Sequence, residues 1–391
     1  MLKKQDFATL ILGVLLIATL FVNQFMFVGK ARVGEKVGLT AGECLGANYM
    51  ILLVLTILLL IFVFLKKDNE NLNFITGILA SLCFGLTILF CGQAVNVVQL
   101  PTSSGRISMS IGSYIYLILA YLIEVKCNEL IKKTWKRFLV IFIGLAIGIV
   151  SFLANQLDGL SVTVEYFNRQ SQFHQEFINH VEMSFAVVIV GIIIGIPLGW
   201  IVYKKAKVGK VISTILNTIE SIPSLALICA MMFPLAFLSN NIPFLRERGI
   251  SGIGATPVFF ALLFYALFQI TNSMYGALKV VNKQYIEVAK AMGMTNLQIF
   301  IKVELPIILP VIISGIRVAL ISTILGVTIG AYVGFGGLGM FILQGLNGFA
   351  IDIVLLGTLP IMAMVFTFDF LLKKIIDGID YYRKVRGTVK V

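Results

Sequence analysis

Residues 287–306 read EVAKAMGMTNLQIFIKVELP, and this segment decides how the rest of the chain is interpreted. It is polar and charged, yet long apolar runs stand on both sides of it. Gly293 suits the left-handed position that ends a helix, and Thr295 followed by Gln298 has the spacing of a capping box. The segment therefore predicts two short helices, one on each side of Gly293, that form a compact helix–turn–helix before Pro306.

The composition of the chain is that of a membrane protein. Of its 391 residues, 59% are hydrophobic and 13% are charged, which is far too apolar for a soluble domain. A spanning helix needs roughly 20 mostly apolar residues. The candidate runs lie at about 7–28, 48–65, 73–97, 108–125, 138–156, 181–203, 211–239, 256–279, 308–330 and 350–372. Because the runs are continuous rather than alternating, they predict an all-α polytopic protein of about ten transmembrane helices and exclude a β-barrel.

The net charge of +12 is distributed unevenly between these runs. With the N-terminus in the cytoplasm, inside segments hold 23 of the 31 Lys and Arg residues and outside segments hold 7, while Arg317 lies within a span. This asymmetry follows the positive-inside rule, so it indicates orientation in a lipid membrane and not a nucleic-acid partner. We expect a multi-pass protein of the cell (inner, cytoplasmic) membrane with both termini cytoplasmic. The first outside loop, with Lys30, Arg32 and Lys36, departs from the rule.

The chain divides into two membrane modules. Residues 1–157 form an N-terminal membrane region of about five spans with no role that the sequence reveals. Residues 158–180 form an extracytoplasmic connector, for which a solvated link and a docking surface both remain open. Residues 181–391 form the second module, with five spans and the loop 283–306. The two modules share no internal repeat, so an inverted-repeat secondary transporter is not favoured.

The loop 283–306 resembles the cytoplasmic coupling loop of ABC importer permeases. The pattern of that family is Glu-Ala-Ala, three residues, Gly, nine residues and Ile-x-Leu-Pro, and Val288 and Val303 are its two mild departures here. The resemblance implies that the loop docks on a separate ATPase and transmits its motion as a rigid helical element. The residues that it assigns to ATPase coupling are Glu287, Ala289, Lys290, Gly293, Leu305 and Pro306.

The resemblance extends over about 210 residues of the second module. It is carried by His180 and Ser184, by GIPLG at 195–199, by ESIPSLAL at 220–227, by YAL at 265–267, by Asn272 and Gly276, by GFGGLG at 334–339, and by Ile342, Gly345, Leu346, Asp352 and Pro360. Together these residues are similar to the osmoprotectant permeases, in a longer subtype with extra N-terminal spans. The methionine-importer permeases share the fold and are a more distant likeness.

The resemblance implies a type I ABC importer permease core made of the last five spans. The chain is then a transport subunit and not an enzyme, and it imports quaternary amines such as glycine betaine, choline and carnitine. Its expected partners are ABC ATPase subunits, an extracytoplasmic solute-binding protein, and a second permease copy or a paralogue. The chain itself binds no cofactor, because ATP and Mg belong to the ATPase. Alternatives are another betaine-like ligand such as ergothioneine, an amino acid such as methionine, or a stand-alone secondary transporter.

Polar residues on two consecutive spans mark a candidate translocation path. Proline inside a span removes a backbone hydrogen bond, and broken helices at membrane depth usually line a cavity or a gate. The candidate residues are Glu220, Ser221, Pro223, Ser224, Gln269 and Asn272. Hydrogen bonding between helices is an equally open reading of this cluster. We expect Glu220 to face the path, Arg317 to meet a carboxylate or helix carbonyls, with Glu220 as one candidate, and Asp369 to pair with Lys373 on its own helix.

The glycine run at 334–339 is not a phosphate-binding loop, because no Gly-Lys-Ser/Thr follows it. We expect it to form a tight turn in an outer gate loop, with Gly336, Gly337 and Gly339 as its candidate residues. The two histidines, His174 and His180, lack metal-ligand spacing on a helix face, and the five cysteines lack it as well. No metal site is therefore expected.

Overall fold

The computed structural model describes residues 4–29, 36–65, 69–100 and 105–385. Within them the chain divides into two compact units. Unit 1 comprises Met1–Asn168 with Gly348–Asp352, and unit 2 comprises Arg169–Asn347 with Ile353–Val391. Several residues of the charge count, among them Lys3, Lys30 and Arg32, lie outside the described residues, and the orientation in the membrane stays a prediction.

The prediction of an all-α membrane protein is confirmed. Among the described residues, nine helices are long and apolar enough to cross a membrane, and a shorter apolar helix covers Ala8–Thr19. Four of the nine lie in the N-terminal part of the chain, and the other five begin at Gln170 or later.

Unit 1 is a helical bundle centred on one helix. Its helices are α1 (Lys4–Thr19), α2 (Ala41–Leu45), α3 (Ala47–Leu65), α4 (Glu70–Gln93), α5 (Ile111–Glu129), α6 (Thr134–Leu153) and α7 (Ser161–Asn168). α4 packs against α3, α5 and α6. The α4–α6 contact is close because the Gly144 amide donates to the Ser81 hydroxyl at 2.8 Å. Small residues at such contacts allow two helix backbones to approach each other.

The first predicted span, 7–28, is wrong in its second half. α1 ends at Thr19, and the chain continues into β1 (Met26–Gly29), which pairs with β2 (Lys36–Leu39) and β3 (Arg106–Met109) in an antiparallel sheet of order β2-β1-β3. A short apolar run fits a buried strand as well as a helix, so hydropathy alone cannot separate the two. The sheet also brings the segment after α1 and the segment after α4 to the same end of unit 1.

Unit 2 is built around α12. Its helices are α8 (Gln170–Lys204), α9 (Ala206–Glu220), α10 (Ser224–Asn241), α11 (Pro243–Glu247), α12 (Ala255–Val280), α13 (Lys283–Ala291), α14 (Asn296–Ile299), α15 (Leu305–Val327), α16 (Gly339–Asn347) and α17 (Ile351–Val385, of which the first two residues belong to unit 1). α12 packs most extensively against α8 and α15. Thr271 of α12 is fully buried and donates to the Gly195 carbonyl of α8 at 3.3 Å.

The predicted span 211–239 is two helices instead of one. α9 and α10 are separated at Ser221–Pro223, and only α10 is long and apolar enough to cross a membrane. Pro223 accounts for the break because the residue before a proline is driven away from helical geometry. Pro197, in contrast, lies inside α8 without interrupting it. The connector predicted at 158–180 is largely helical, since α7 and the first turns of α8 occupy it.

Candidate functional site

Three helices of unit 2 define its two ends. α15 starts directly after residues 283–304 and leads, through a short 3-10 turn, to residues 334–339. Its 23 residues span about 35 Å at 1.5 Å per residue, which is close to the thickness of a bilayer core. α8 and α12 run in the opposite direction. We call residues 283–306 the coupling segment and residues 334–339 the glycine loop, and they lie at opposite ends of the unit.

The coupling segment has the local structure that the sequence predicts. Asn282 caps α13 by accepting a hydrogen bond from the Gln284 amide at 2.9 Å. Gly293 follows α13 with a φ of +77°, a conformation in which a side chain is strained. Thr295 then starts α14 with both hydrogen bonds of the capping box, at 2.9 Å to the Gln298 side chain and 3.4 Å from the Gln298 amide. The turn is thus fixed by residues close together in the chain.

The second helix of the segment differs from the prediction in how it ends. It does not stop before Pro306 but continues through a π-helical turn, Phe300–Glu304, directly into α15. The Leu305 amide bonds to the Phe300 carbonyl, five residues back. This wider turn suits the start of α15, because a proline has no amide to donate and its ring displaces the carbonyl four residues before it.

The segment is anchored to its own unit by buried apolar residues. Ala289 is 3% exposed and Ile299 is 4% exposed. Ile286, Phe300 and Leu305 pack on an apolar cluster formed by the facing ends of α12 and α15. Of the predicted coupling residues, Ala289 and Leu305 therefore pack inwards. The others are exposed, and these are Glu287, Lys290, Gly293 and Pro306.

The exposed face of the segment carries apolar residues that the sequence analysis missed. Its members are Tyr285, Val288, Met292, Leu297 and Ile301, which are between 46% and 71% exposed. The first three, two on α13 and Met292 at its C-cap, recur three and four positions apart, and this spacing places them on one side of a helix. We call these five residues the apolar face. Their apolar character is visible in the sequence, but only the structure distinguishes them from Ile286 and Ile299, which are also apolar and pack inwards.

A cavity of about 410 Å³, which we call the polar cavity after the polar side chains on one of its walls, adjoins the break between α9 and α10. Glu220, Ser224 and Gln269, three of the candidate path residues, line it together, and Ser322 and Thr323 of α15 complete its polar wall. Gln269 donates to the Ser322 hydroxyl at 3.1 Å. Its buried side-chain oxygen has no hydrogen-bond partner among the described residues. The cavity therefore offers both a carboxylate and an unused acceptor.

The broken backbone beside this cavity is held from two sides. The Ser221 hydroxyl donates to the Thr218 carbonyl at 2.7 Å and closes the end of α9. The Tyr265 hydroxyl, which the sequence analysis did not assign, donates to the Ile222 carbonyl in a short hydrogen bond. A carbonyl released at a helix break needs such a donor. The break is thus coupled to α12 through one side chain.

The remaining predicted path residues do not share this cavity. Pro223 caps the start of α10. Asn272 lines a different cavity of about 530 Å³, together with Asn217, Lys210 and Lys279. That cavity lies towards the coupling end of the unit, since Lys279 is in the last turn of α12.

Arg317 pairs with Asp369, and the two alternative pairings considered for these groups are wrong. The Arg317 Nε lies 2.6 Å from the Asp369 Oδ1, which joins α15 to α17. The expectation that Arg317 meets a carboxylate is confirmed, but its partner is not Glu220. Asp369, for its part, does not form its ion pair with Lys373. A hydrogen bond between an arginine and a carboxylate is charge-assisted, and it is roughly twice as strong as a neutral one.

The glycine loop is tied to α8 by two side chains. Gly334, Gly336 and Gly337 have φ values of +80°, +88° and +68°, as a tight turn of glycines predicts. Glu176 accepts a hydrogen bond from the Gly337 amide at 2.6 Å. Gly339 starts α16 so close to the Thr328 carbonyl that a Cβ atom would overlap it.

The second side chain is His180, which is fully buried. Its Nε2 lies 2.9 Å from the Ile324 carbonyl, and its Nδ1 lies 3.3 Å from the Leu338 amide. A carbonyl only accepts and an amide only donates, so Nε2 carries the proton and Nδ1 does not. The imidazole is therefore neutral in this arrangement. From the sequence, His180 was expected only to lack a metal-binding role, and Glu176 was not identified at all.

Comparison with known proteins places the chain in a family. Residues 188–380 match the family described as binding-protein-dependent transport system inner membrane component. Residues 4–163 match the N-terminal domain of the ABC transporter permease YehY. The chain therefore belongs to the inner-membrane permeases of binding-protein-dependent ABC transporters, in a longer subtype with an additional N-terminal membrane region. It is a transport subunit, and membership implies an ATPase and a binding protein as partners in general.

Several permeases resemble about half of this chain. The chain is 35% identical over 196 residues to the carnitine transport permease protein OpuCB of Listeria monocytogenes, a match that covers 50% of this chain and 83% of that protein. It is 32% identical over 215 residues to the glycine betaine/carnitine/choline transport system permease protein OpuCD of Bacillus subtilis, covering 55% and 87%. A structure of the MetNI methionine ABC transporter, inward facing, matches 53% of this chain and 95% of its own, at 26% identity and a TM-score of 0.47.

Proposed function

We propose that this chain forms the translocation path of an ATP-driven importer for osmoprotectant quaternary amines, of which glycine betaine, carnitine and choline are the leading ligands. The observation that carries the proposal is the set of relatives at 32–35% identity, whose names specify these three compounds. Those relatives are covered over 82–87% of their length, so the likeness includes nearly a whole permease.

The coupling segment is the proposed contact with the ATPase. It is stiff, because a capping box and a glycine turn fix its shape and buried residues anchor it to α12 and α15. None of the described residues covers its apolar face, and Leu297 is 67% exposed. Exposed apolar residues grouped on one rigid element mark a protein interface. Motion of an ATPase bound there would reach α12 and α15 directly, and both helices line the polar cavity.

The polar cavity is the proposed part of the path within the membrane. A quaternary ammonium has no N–H to donate, so it is attracted by charge and by aromatic faces. Glu220 supplies the charge and Tyr265 a ring in the same cavity. The hydrogen bond from Tyr265 to Ile222 also links the cavity wall to the α9–α10 break, where a change in helix geometry would open or close it.

In this proposal the coupling end faces the cytoplasm and the glycine loop faces outwards. The coupling segment carries Lys283, Lys290 and Lys302, in agreement with the positive-inside rule. The glycine loop and the first turns of α8 then meet the binding protein. Two permease chains, identical or paralogous, would form the complete path with two ATPase subunits.

The test is uptake of labelled glycine betaine into liposomes that hold this chain with its ATPase and binding protein. We expect uptake that requires ATP hydrolysis and is inhibited by carnitine and choline. A non-hydrolysable ATP analogue serves as the control. ATP hydrolysis stimulated by the binding protein, without uptake of any quaternary amine, would reject the ligand class and move attention to ergothioneine or methionine. Uptake driven by an ion gradient without ATP would reject the importer itself.

A further inference from the structure

A further cavity in unit 2 lies at the end that carries the glycine loop. It has a volume of about 490 Å³ and is lined by the first part of α8, by the segment that leads into α12, and by Phe335 of the glycine loop. Its position sets it apart from the polar cavity, with which it shares no lining residue. In the proposed orientation, a ligand from outside reaches this cavity before it reaches Glu220.

Three of the residues that line this cavity are phenylalanines, and they are Phe259, Phe260 and Phe335. The first two rings stand edge to face, with centroids 5.6 Å apart and an interplanar angle of 88°. Their faces therefore point in different directions, as they do in a partial aromatic cage. Aromatic faces attract methylated ammonium groups through the ring quadrupole.

The position of Phe335 is set by the glycine loop. Its amide donates to the Gly330 carbonyl at 3.0 Å, and the residues on both sides of it are glycines with positive φ. Two residues further on, the Gly337 amide is held by Glu176. The ring is thus held by a loop that is itself fixed to α8.

Two side chains of opposite charge complete the lining. Glu182 comes from α8 and Arg248 from the segment before α12, and both are exposed. Among the described residues no ion pair joins them. Arg248 instead stacks over the Phe244 ring, with its guanidinium carbon 4.9 Å from the ring centroid. The carboxylate and the guanidinium are therefore both available to a ligand.

We propose that this cavity is an entry site for zwitterionic quaternary amines and that Arg248 makes it prefer them to simple cations. The inference deepens the proposed function and rests on it. The phenylalanine rings and Glu182 take the ammonium group, while Arg248 takes the carboxylate of a betaine or of carnitine. Choline has the ammonium group but no carboxylate, so it gains nothing from Arg248 and is repelled by it.

The test compares uptake of glycine betaine and of choline by the complete reconstituted importer. In the Arg248→Gln variant we expect the kcat/KM ratio of betaine to choline to fall about tenfold, the factor that corresponds to one charge-assisted contact. Arg246→Gln is the matched control, because Arg246 is also exposed but lines a different cavity. In Glu182→Gln and in Phe260→Leu, uptake of both ligands should fall together.

The outcomes separate this proposal from the proposed function. If the wild-type importer takes up no quaternary amine, the proposed function fails and the ligand assigned to this cavity fails with it. If the wild type takes up betaine, but Arg248→Gln and Arg246→Gln keep the same betaine-to-choline ratio, the entry site alone is rejected.

A labelling measurement covers the case in which Arg248→Gln does not assemble. Ala186→Cys, at an exposed residue that lines the cavity and leaves Arg248 in place, is made together with Cys229→Ser, which removes the one exposed cysteine of the described residues. Glycine betaine at saturating concentration should slow modification of the new thiol by a charged thiosulfonate. Equal modification rates with and without betaine would overturn the proposal.

Discussion

The two ends of unit 2 are built in opposite ways. At the coupling end, the turn is fixed by neighbours in sequence: Asn282 caps one helix, Gly293 ends it, and Thr295 and Gln298 start the next. At the other end, the glycine loop is fixed by α8 residues 158 and 161 positions away. A locally encoded element keeps its shape while its surroundings move. A loop held by distant side chains changes its shape when those contacts change.

This contrast suits the two proposed tasks. An element that receives motion from an ATPase has to move as one body, which the coupling segment does through its anchors on α12 and α15. A loop beside the entrance for ligand has to respond when α8 and α15 shift. His180 bridges the Ile324 carbonyl of α15 and the Leu338 amide of the loop, so a shift of either one changes its hydrogen bonds. The following predictions test the contrast, starting with the largest expected effect.

Charged substitutions on the apolar face of the coupling segment should weaken ATPase binding without unfolding the segment. In Met292→Asp/Leu297→Asp, two charges replace exposed apolar groups, and we expect at least about a tenfold loss of co-purified ATPase, since interface hot spots cost ~2 kcal/mol or more. Membrane insertion should be unchanged because neither side chain is buried. Asn296→Asp is the control, as it adds a charge on the same turn outside the apolar face. If the double variant retains its ATPase, the apolar face is not the contact.

The glycine loop should be sensitive to a change on a helix far from it in sequence. His180→Leu leaves a buried amide and a buried carbonyl without their partner, at about 1–3 kcal/mol for each group. We expect a lower Tm and faster amide hydrogen exchange at residues 334–339, with the coupling segment unaffected. His174→Leu changes an exposed histidine on the same helix and should have little effect. Exchange rates that rise equally at both ends would remove the distinction between them.

The next largest effect is a loss of stability when a Cβ atom is added at Gly339, where α16 starts. Gly339→Ala places a Cβ atom against the Thr328 carbonyl, so the backbone has to shift, at roughly 1–3 kcal/mol. Gly276→Ala in α12 meets no atom within 4 Å and should be neutral or stabilising by about 0.5–1 kcal/mol. Thermal unfolding of the two purified variants measures the difference. A Tm for Gly339→Ala at or above that of Gly276→Ala would contradict the structure.

The ion pair between the two ends should have the smallest effect. Arg317 and Asp369 both lie within predicted spans, where the coupling between polar side chains of neighbouring helices is about 1 kcal/mol. A double-mutant cycle with Arg317→Gln and Asp369→Asn should give that coupling. The same cycle with Arg317→Gln and Glu220→Gln should give none. Coupling in the second cycle would show that Arg317 interacts with Glu220, which would contradict the structure.

Much of the architecture follows from the sequence because apolar length and turn chemistry are local properties. The spans of unit 2 other than 211–239, the cap at Thr295 and the positive φ of Gly293 all depend on residues within a few positions of one another. Where two outcomes share one local pattern, the prediction failed. The apolar run before Gly29 became a strand because it met β2 and β3, and no nearby residue encodes that pairing.

The sequence by itself determined the class of protein, the local structure of the coupling segment and the cluster of polar residues around Pro223. Only the tertiary structure decided that Arg317 pairs with Asp369, that Tyr265 donates to the carbonyl at the α9–α10 break, and that Glu176 and His180 bind the glycine loop. It also decided which apolar residues of the coupling segment remain exposed. The physical reason is that helix packing joins residues that are far apart in the chain. Which helices pack together decides the partner of each polar group and the burial of each apolar one.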